Sequence, residues 1–348
     1  MDIKPEDLYL LEDKVLVDIR SPSEYEEFHI PGAINLPLFE DEEKRLIGVL
    51  YRGEGLEKAK ELGYEIAWKK FEHLLEKFKE LKERHRHVVL YCWRGGLRSQ
   101  ELCRVLRSVG LEVLRLEGGY RAYREFILKD MESLIENKRF LVLTGKTGVG
   151  KTKLLRKLKE EGYPVIDLEG LAKDRGSVFG KLGMGKGISQ KLFDALLYEE
   201  LRKLEGNLLL VEDESRLIGR VHLPWVFWQK KEEGMFLEVE ANYESRLKNL
   251  IEDYASFDGW QEEFRKSLLK IRKYLGEESY RKILHLLEEN RAEELALLLM
   301  TEYYDRTYKL QKKPLFRLDC SDFEACLESL KELYARLLKE REVPELCR

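Results

Sequence analysis

Long apolar runs, CxxC pairs and a large excess of either charge are missing from this chain of 348 residues. No stretch approaches the ~20 consecutive apolar residues of a membrane-crossing helix, so no membrane partner is expected. The five cysteines include no CxxC pair and no disulfide-framework spacing, which argues against a zinc knuckle and for a reducing, cytoplasmic address. The first residues carry Asp2 and Glu6 without an apolar h-region, so no signal peptide is expected. A net charge of −4 gives no global polycation for nucleic acid, although a local basic face can sit on an acidic protein. No internal repeat or low-complexity segment occurs.

What is present fits two α/β domains. Residues 14–19 read as a buried strand, and Ser21-Pro22-Ser23-Glu24 as a capped helix start. A turn and strand over His29–Leu36 precede a lysine- and glutamate-rich helix at 56–84. Val88–Tyr91 form a short strand, Ser99–Val109 a helix closed by Gly110, and Val113–Leu116 a further strand. This alternation predicts a first domain over 1–128, followed by a helical connector at 129–138. The second domain, 139–348, carries strands at Arg139–Thr144, Pro164–Asp167, Leu208–Val211, Phe236–Val239 and Leu315–Leu318. A helical insertion spans about 243–310, and a closing helix covers 322–340.

The first strand–loop–helix junction delivers Cys92 and then Trp93, Arg94, Gly95, Gly96, Leu97 and Arg98. Backbone N–H groups and the helix dipole favour a thiolate there, and the two arginines can fork onto an oxyanion. Cys92 is the candidate nucleophile and the six following residues the candidate donor-anion cradle. Cys103, one turn along the helix among Leu102, Val105 and Leu106, reads as a core cysteine. Cys320, Cys326 and Cys347 have no supporting context.

Tyr25-Glu26-Glu27-Phe28-His29-Ile30-Pro31-Gly32-Ala33, with Asp18 and Arg20 at a strand end, resembles the N-terminal motif of the rhodanese family. Cys92 falls where that family keeps its persulfide-forming cysteine; Asp18 and His29 are expected to be structural. One departure matters. Five residues separate Cys92 from Arg98, where many small rhodaneses have four. The longer loop resembles that of rhodanese-fold phosphatases, although Tyr91 stands where those usually have a histidine. A donor centred on phosphorus is the expectation.

The second junction reads Gly145-Lys146-Thr147-Gly148-Val149-Gly150-Lys151-Thr152, a full Walker A pattern between an apolar strand and a helix. Its backbone wraps phosphates, Lys151 neutralises them and Thr152 can ligate Mg²⁺. No other metal site and no resident organic cofactor are expected. Further candidate substrate or metal contacts are Asp167, Glu169, Arg175 and Ser177 after the second strand, and Glu212, Asp213, Arg216 and Arg220 after the third. The aromatic run from Leu223 to Trp228 reads as core, with a prenyl wall or a platform for bases as alternatives. Basic residues of the insertion, Arg246 and Arg265 among them, alternate with acids and read as a solvated face.

A rhodanese domain fused to a P-loop domain resembles the tRNA 2-selenouridine synthase family. The specific segments are Tyr91–Ser99, Gly145–Thr152, Asp167–Gly180 and Val211–Gly219. The resemblance implies a transferase acting on tRNA that contains wobble 2-thiouridine. It implies S-geranylation from geranyl diphosphate, then exchange of sulfur for selenium from selenophosphate, with a selenophosphate-supplying enzyme as a candidate partner. On that reading Cys92 accepts selenium as a perselenide or assists its delivery, and the P-loop holds the diphosphate. The alternatives are a sulfurtransferase or phosphatase fused to a small-molecule kinase, and a nucleotide-sensing module.

A chain that is 37% charged with only five Gln and six Asn has the composition of a heat-stable protein. Differential scanning calorimetry is expected to give an apparent melting temperature above ~60 °C.

Overall fold

The structure is a computed structural model that describes residues 2–254, 259–310 and 312–339; Cys347 lies outside the described residues. The chain forms two compact units, Met1–Met131 with Ile188–Glu199, and Glu132–Gly187 with Glu200–Arg348.

The first unit is built on a parallel sheet of β1 (Asp2–Ile3), β2 (Lys14–Asp18), β3 (Ile34–Asn35), β4 (His87–Tyr91) and β5 (Leu114–Leu116), in the order β1-β5-β4-β2-β3. β4 lies at the centre, and Val88, Val89, Leu90 and Tyr91 are all buried, as both faces of a parallel strand require. Its helices are α1 (Pro22–Glu27), α2 (Asp41–Glu54), α3 (Leu56–Arg84), α4 (Leu97–Ser108) and α5 (Gly119–Ile135). Ser21 and Glu24 close a capping box on α1, with Pro22 in the first turn. Helix α2 is not legible in the sequence as a separate element, because none of its residues is buried.

Helix α5 runs from the expected end of the first domain into the expected helical connector. Tyr120, Tyr123, Ile127, Met131 and Ile135 lie along one buried stripe of it. Ile188–Glu199 follows the P-loop in sequence yet packs into the first unit, where Asp194 takes Arg124 at 2.6 Å and Glu199 takes Tyr9 at 2.6 Å.

Asp18 and Arg20 form a fully buried ion pair at the end of β2, 2.6 Å apart, and Arg20 also donates to the Phe28 carbonyl at 2.5 Å. The guanidinium lies over the Phe28 ring at 4.4 Å. The pair therefore ties the strand end to the His29–Ala33 turn.

The second unit carries β6 (Arg139–Thr144), β7 (Val165–Ile166), β8 (Leu208–Glu212), β11 (Met235–Glu240) and β12 (Phe316–Asp319) in one parallel sheet, order β12-β11-β6-β8-β7. β9 (Leu217–Ile218) and β10 (Val221–His222) make a small antiparallel hairpin. Helices α6 (Lys151–Glu160), α7 (Leu168–Ala172) and α9 (Trp225–Glu232) alternate with the strands, while α8 (Gln190–Lys203) belongs to the first unit up to Glu199. The expected insertion is α10 (Tyr243–Tyr254), α11 (Trp260–Leu275), α12 (Glu277–Glu288), α13 (Ala292–Leu299) and α14 (Asp305–Thr307), and α15 (Phe323–Lys339) closes the unit. The insertion has its own apolar cluster of Trp260, Phe264, Leu268, Ile271 and Ile283 with Phe179. Cys320 and Cys326, expected to stand alone, are partners across the start of α15 with Cα atoms 4.9 Å apart. No helix among the described residues is long and apolar enough to cross a membrane.

Removing one member of a buried ion pair leaves the other charge stranded, at about 3–5 kcal/mol. Asp18→Ala is expected to lower the stability of the first unit by roughly that amount, read as an earlier transition in urea followed by circular dichroism.

Candidate active sites

In the first unit β4 ends at Tyr91 and the chain turns at once into the cysteine loop. Cys92 is 3% exposed, and its Sγ lies 3.2 Å from the Ser99 hydroxyl, which also reaches the Gly96 carbonyl at 3.1 Å. With its one proton donated to Gly96 O, the Ser99 hydroxyl accepts from the Cys92 thiol, and turning that proton from Gly96 to the sulfur would let it donate to a thiolate, a role that its position at a helix start does not reveal in the sequence. The loop's carbonyls are taken from outside. Cys92 O accepts from Tyr120 N–H and Trp93 O from Arg121 N–H, both at 3.0 Å, and Gly95 O accepts from Arg115 at 2.5 Å. Among the described residues the backbone N–H groups of Trp93 to Arg98 have no backbone acceptor, an arrangement that suits an anion. A side chain at Gly119, whose φ is +61°, would meet Cys92 O at 2.2 Å, so only glycine lets the start of α5 press against the loop.

Arg98 pairs with Glu24 at 3.3 Å, and Lys44 joins the same carboxylate at 3.2 Å. Arg94 is exposed and carries no ion pair among the described residues. Trp93 is stacked on Tyr120, and Lys191 stands 4.7 Å above the Trp93 ring. Lys191 has no signal in the sequence, since nothing local connects it to Cys92. Asp18 is confined to its pair with Arg20, and His29 bonds the Tyr25 carbonyl at 2.8 Å.

In the second unit the P-loop joins β6 to α6. Lys151 donates to Gly145 O at 2.7 Å and Lys146 O at 3.4 Å, folding back on its own loop. The N–H groups of Lys146 to Gly148 and Gly150 to Thr152 donate to nothing among the described residues. Helix α10 fixes the loop from outside: Arg246 donates to Thr147 O at 3.0 Å and Asn249 to Gly148 O at 2.8 Å. Arg246 is buried and paired with Asp305 at 2.6 Å, which corrects its reading as part of a solvated face. Arg265 and Lys266 are each paired with a glutamate, and Arg272 and Arg281 share Glu277.

A cleft of about 480 Å³ gathers the P-loop with Glu169, Arg175, Ser177 and Glu214. Thr152 donates to Glu169 at 3.0 Å. Other candidates are engaged elsewhere. Asp167 caps α7 by accepting from Gly170 N–H at 2.7 Å. Glu212 is fully buried, accepts from Leu168 N–H at 3.0 Å, and its pKa is pushed well up by burial. Asp213 holds the buried Lys231 at 3.0 Å. Arg216 lies 5.1 Å from the exposed Trp225 ring, and neither it nor Arg220 lines the cleft. Within the aromatic run Leu223 and Phe227 are core while Trp225 is exposed.

Glu214 stands outside the candidates that the sequence offers beside Glu212 and Asp213, yet it is the member of that run that lines the cleft. Burial, then Glu169, push its pKa up to about 8. Burial pulls Lys151 down, opposed by Glu169 and Glu214. Two carboxylates and a threonine hydroxyl beside a P-loop fit a divalent cation that takes its remaining ligands from phosphates. Among the described residues no cluster of three or more acidic, His or Cys groups could hold a metal alone.

Comparison with known sequences fits both halves. The tRNA 2-selenouridine synthase AAA domain matches residues 138–333, and the rhodanese-like domain matches 5–126. The tRNA 2-selenouridine synthase of Nitrosomonas europaea is 38% identical, covering 73% of this chain and 67% of that protein. That of Sulfurovum sp. is 31% identical over 92% of this chain and 96% of its own length. That of Pseudomonas fluorescens is 33% identical over 87% and 89%. The chain belongs to the tRNA 2-selenouridine synthase family and is an enzyme.

Glu214 is neutral below about pH 8 and charged above it, facing Lys151, Glu169 and Asp213. Because its pKa is raised, the proton is favoured in the folded protein from its ordinary value of 4.5 up to about 8, and the negative charge appears as pH rises through that value. A charged Glu214 repels a phosphate in the cleft. Affinity for inorganic pyrophosphate, measured by calorimetry without metal, is expected to fall between pH 7 and 9, and Glu214→Gln to flatten that fall.

Proposed function

We propose that this enzyme converts wobble 2-thiouridine in tRNA to 2-selenouridine in two steps, geranylation over the P-loop and selenation at the cysteine loop. Two open anion cradles on one chain support the division: one is backed by a lysine and the other by a nucleophile.

In the first step the thiocarbonyl sulfur attacks C1 of geranyl diphosphate. The C–S bond forms, the C–O bond breaks, and diphosphate leaves with the electron pair while the uridine N3 proton goes to solvent. Lys151 swings from the Gly145 and Lys146 carbonyls onto the departing diphosphate, where preorganised N–H groups already point. Mg²⁺, held by Thr152 and Glu169, would supply further charge neutralisation.

The observation that carries the second step is the Cys92-x5-Arg98 loop with Ser99 set 3.2 Å from the sulfur. The Cys92 thiolate attacks the phosphorus of selenophosphate. An S–P bond forms, the P–Se bond breaks, and hydroselenide leaves with the electron pair. Hydroselenide adds to C2 of the S-geranyl uridine and geranylthiolate departs; water then cleaves the phosphocysteine to thiol and phosphate. Selenium stays at the same oxidation level throughout. A cysteine perselenide would need an oxidant that this chemistry does not supply, so the phosphorus-centred route is preferred. Arg98 leaves Glu24 to hold the phosphoryl oxygens.

Mass spectrometry of a 2-thiouridine anticodon stem-loop tests the scheme. With geranyl diphosphate the wild type is expected to add a geranyl mass, and Lys151→Ala to slow this by roughly 10²–10³-fold. With selenophosphate added, the selenium product is expected in the wild type and absent in Cys92→Ser, which still geranylates. ATP consumption without any RNA product would instead favour a kinase fused to a rhodanese-fold phosphatase, the reading that the five-residue loop also allows.

A further inference from the structure

The first unit contains a cavity of about 450 Å³, open to solvent on one side, between α2, α3 and α4. Its origin is visible in α3, where Ala59, Gly63 and Ala67 recur every fourth residue and so line one face of the helix. Gly48 of α2 also lines the cavity. These small side chains leave the space beside them unfilled. A glycine inside a helix costs roughly 0.5–1 kcal/mol against alanine, although a Cβ at Gly63 would meet the Phe39 ring only at an ordinary 3.5 Å. The remaining wall is mainly aromatic and aliphatic, with Lys60 and Glu101 also lining it, and Tyr51, Tyr64 and Trp68 stay exposed around it.

Two features say what fits. The wall runs into the cysteine loop, because Leu97 and Arg98 belong to both. Its polar edge is formed there by Lys44 and Arg98, which share Glu24. The cavity is thus apolar inside and charged where it meets the nucleophile's loop. A volume of about 450 Å³ is that of a small-molecule site.

We infer that this cavity holds the linear isoprenoid chain of the S-alkylated uridine during selenation, and receives the prenyl thiol as it leaves. The inference rests on the two-step scheme and moves the chain-binding site away from the aromatics beside the P-loop. Holding the chain fixes C2 of the base beside the loop that releases hydroselenide, and the cavity carries the leaving group away from it.

The test uses the full chain, selenophosphate, and two anticodon stem-loops that carry S-geranyl- or S-methyl-2-thiouridine. Both lose a thiol of the same kind, so they differ only in the chain. The wild type is expected to show a KM about tenfold or more lower for the geranyl RNA. Ala67→Leu and Ala59→Leu, which fill the cavity with a good helix former, should bring that ratio toward one with no drop in melting temperature. An unchanged ratio in both variants, or a ratio lost instead in Trp225→Ala, overturns the inference. So does a wild-type dimer in light scattering that the variants dissociate without changing the ratio, since the cavity would then be a contact between copies. Failure of the wild type to selenate either RNA would instead sink the two-step scheme itself.

Discussion

A helix that leaves the C-terminal end of a buried parallel strand exposes N–H groups that its own turns cannot satisfy. Both candidate sites are that situation left unanswered. Helices α4 and α6 begin at Gly96 and Gly150, and neither N-cap supplies a side-chain acceptor. Elsewhere the chain does close such ends: α1 has the Ser21–Glu24 box and α2 the Glu40–Glu43 box. Glycine also starts α3, α11 and α12, but those helices do not follow a strand, and no sheet gathers functional loops in front of them. Each open end follows the central strand of its sheet, β4 or β6, where neighbouring strand ends converge on it.

The two cradles store the same deficit differently. At the P-loop, Lys151 is folded back onto loop carbonyls beside Glu169 and Glu214, and burial, then the charge of Glu169, favours the proton on Glu214. An arriving phosphate must displace an internal hydrogen bond and sit close to carboxylates. It gains from both when a cation or a proton offsets the acids. At the cysteine loop, the competing anion is Glu24 alone, at 3.3 Å from Arg98 and partly exposed. A dianion with bidentate geometry displaces a single carboxylate more readily than it displaces a buried pair. The cysteine site is therefore the more open to exchange, which suits a site that admits a donor, reacts and releases phosphate.

The α/β class and both loops were legible because each is a local pattern: an apolar run, glycines at fixed offsets, then helix formers. Individual side chains in the flanking loops were less legible. Asp167, Glu169, Glu212, Asp213 and Glu214 look alike in sequence. Their fates diverge because one caps α7, one is sealed under Leu168, one is consumed by Lys231, and two face the cleft. Arg246 reads as one more surface base, yet Asp305, 59 residues away, buries it against the P-loop. Tertiary partners at such separations leave no local signal.

The packing of Ile188–Glu199 into the first unit makes the same point for a whole segment. Its residues Lys191, Asp194 and Glu199 are ordinary helix formers in sequence, and together they meet Trp93, Arg124 and Tyr9. The cysteine loop is thus completed by residues that come after the P-loop in the chain. A truncated chain ending at residue 131 would keep Cys92 and lose the lysine above Trp93, the acceptor of Arg124 and the partner of Tyr9. Burial of Tyr120 and Tyr123 depends on that segment too, since Tyr120 donates to Lys191 O at 2.9 Å and Tyr123 to Glu199 at 3.3 Å. Tyr120 N–H in turn holds the Cys92 carbonyl, so the geometry of the nucleophile is linked through α5 to chain that no boundary drawn from the sequence would include.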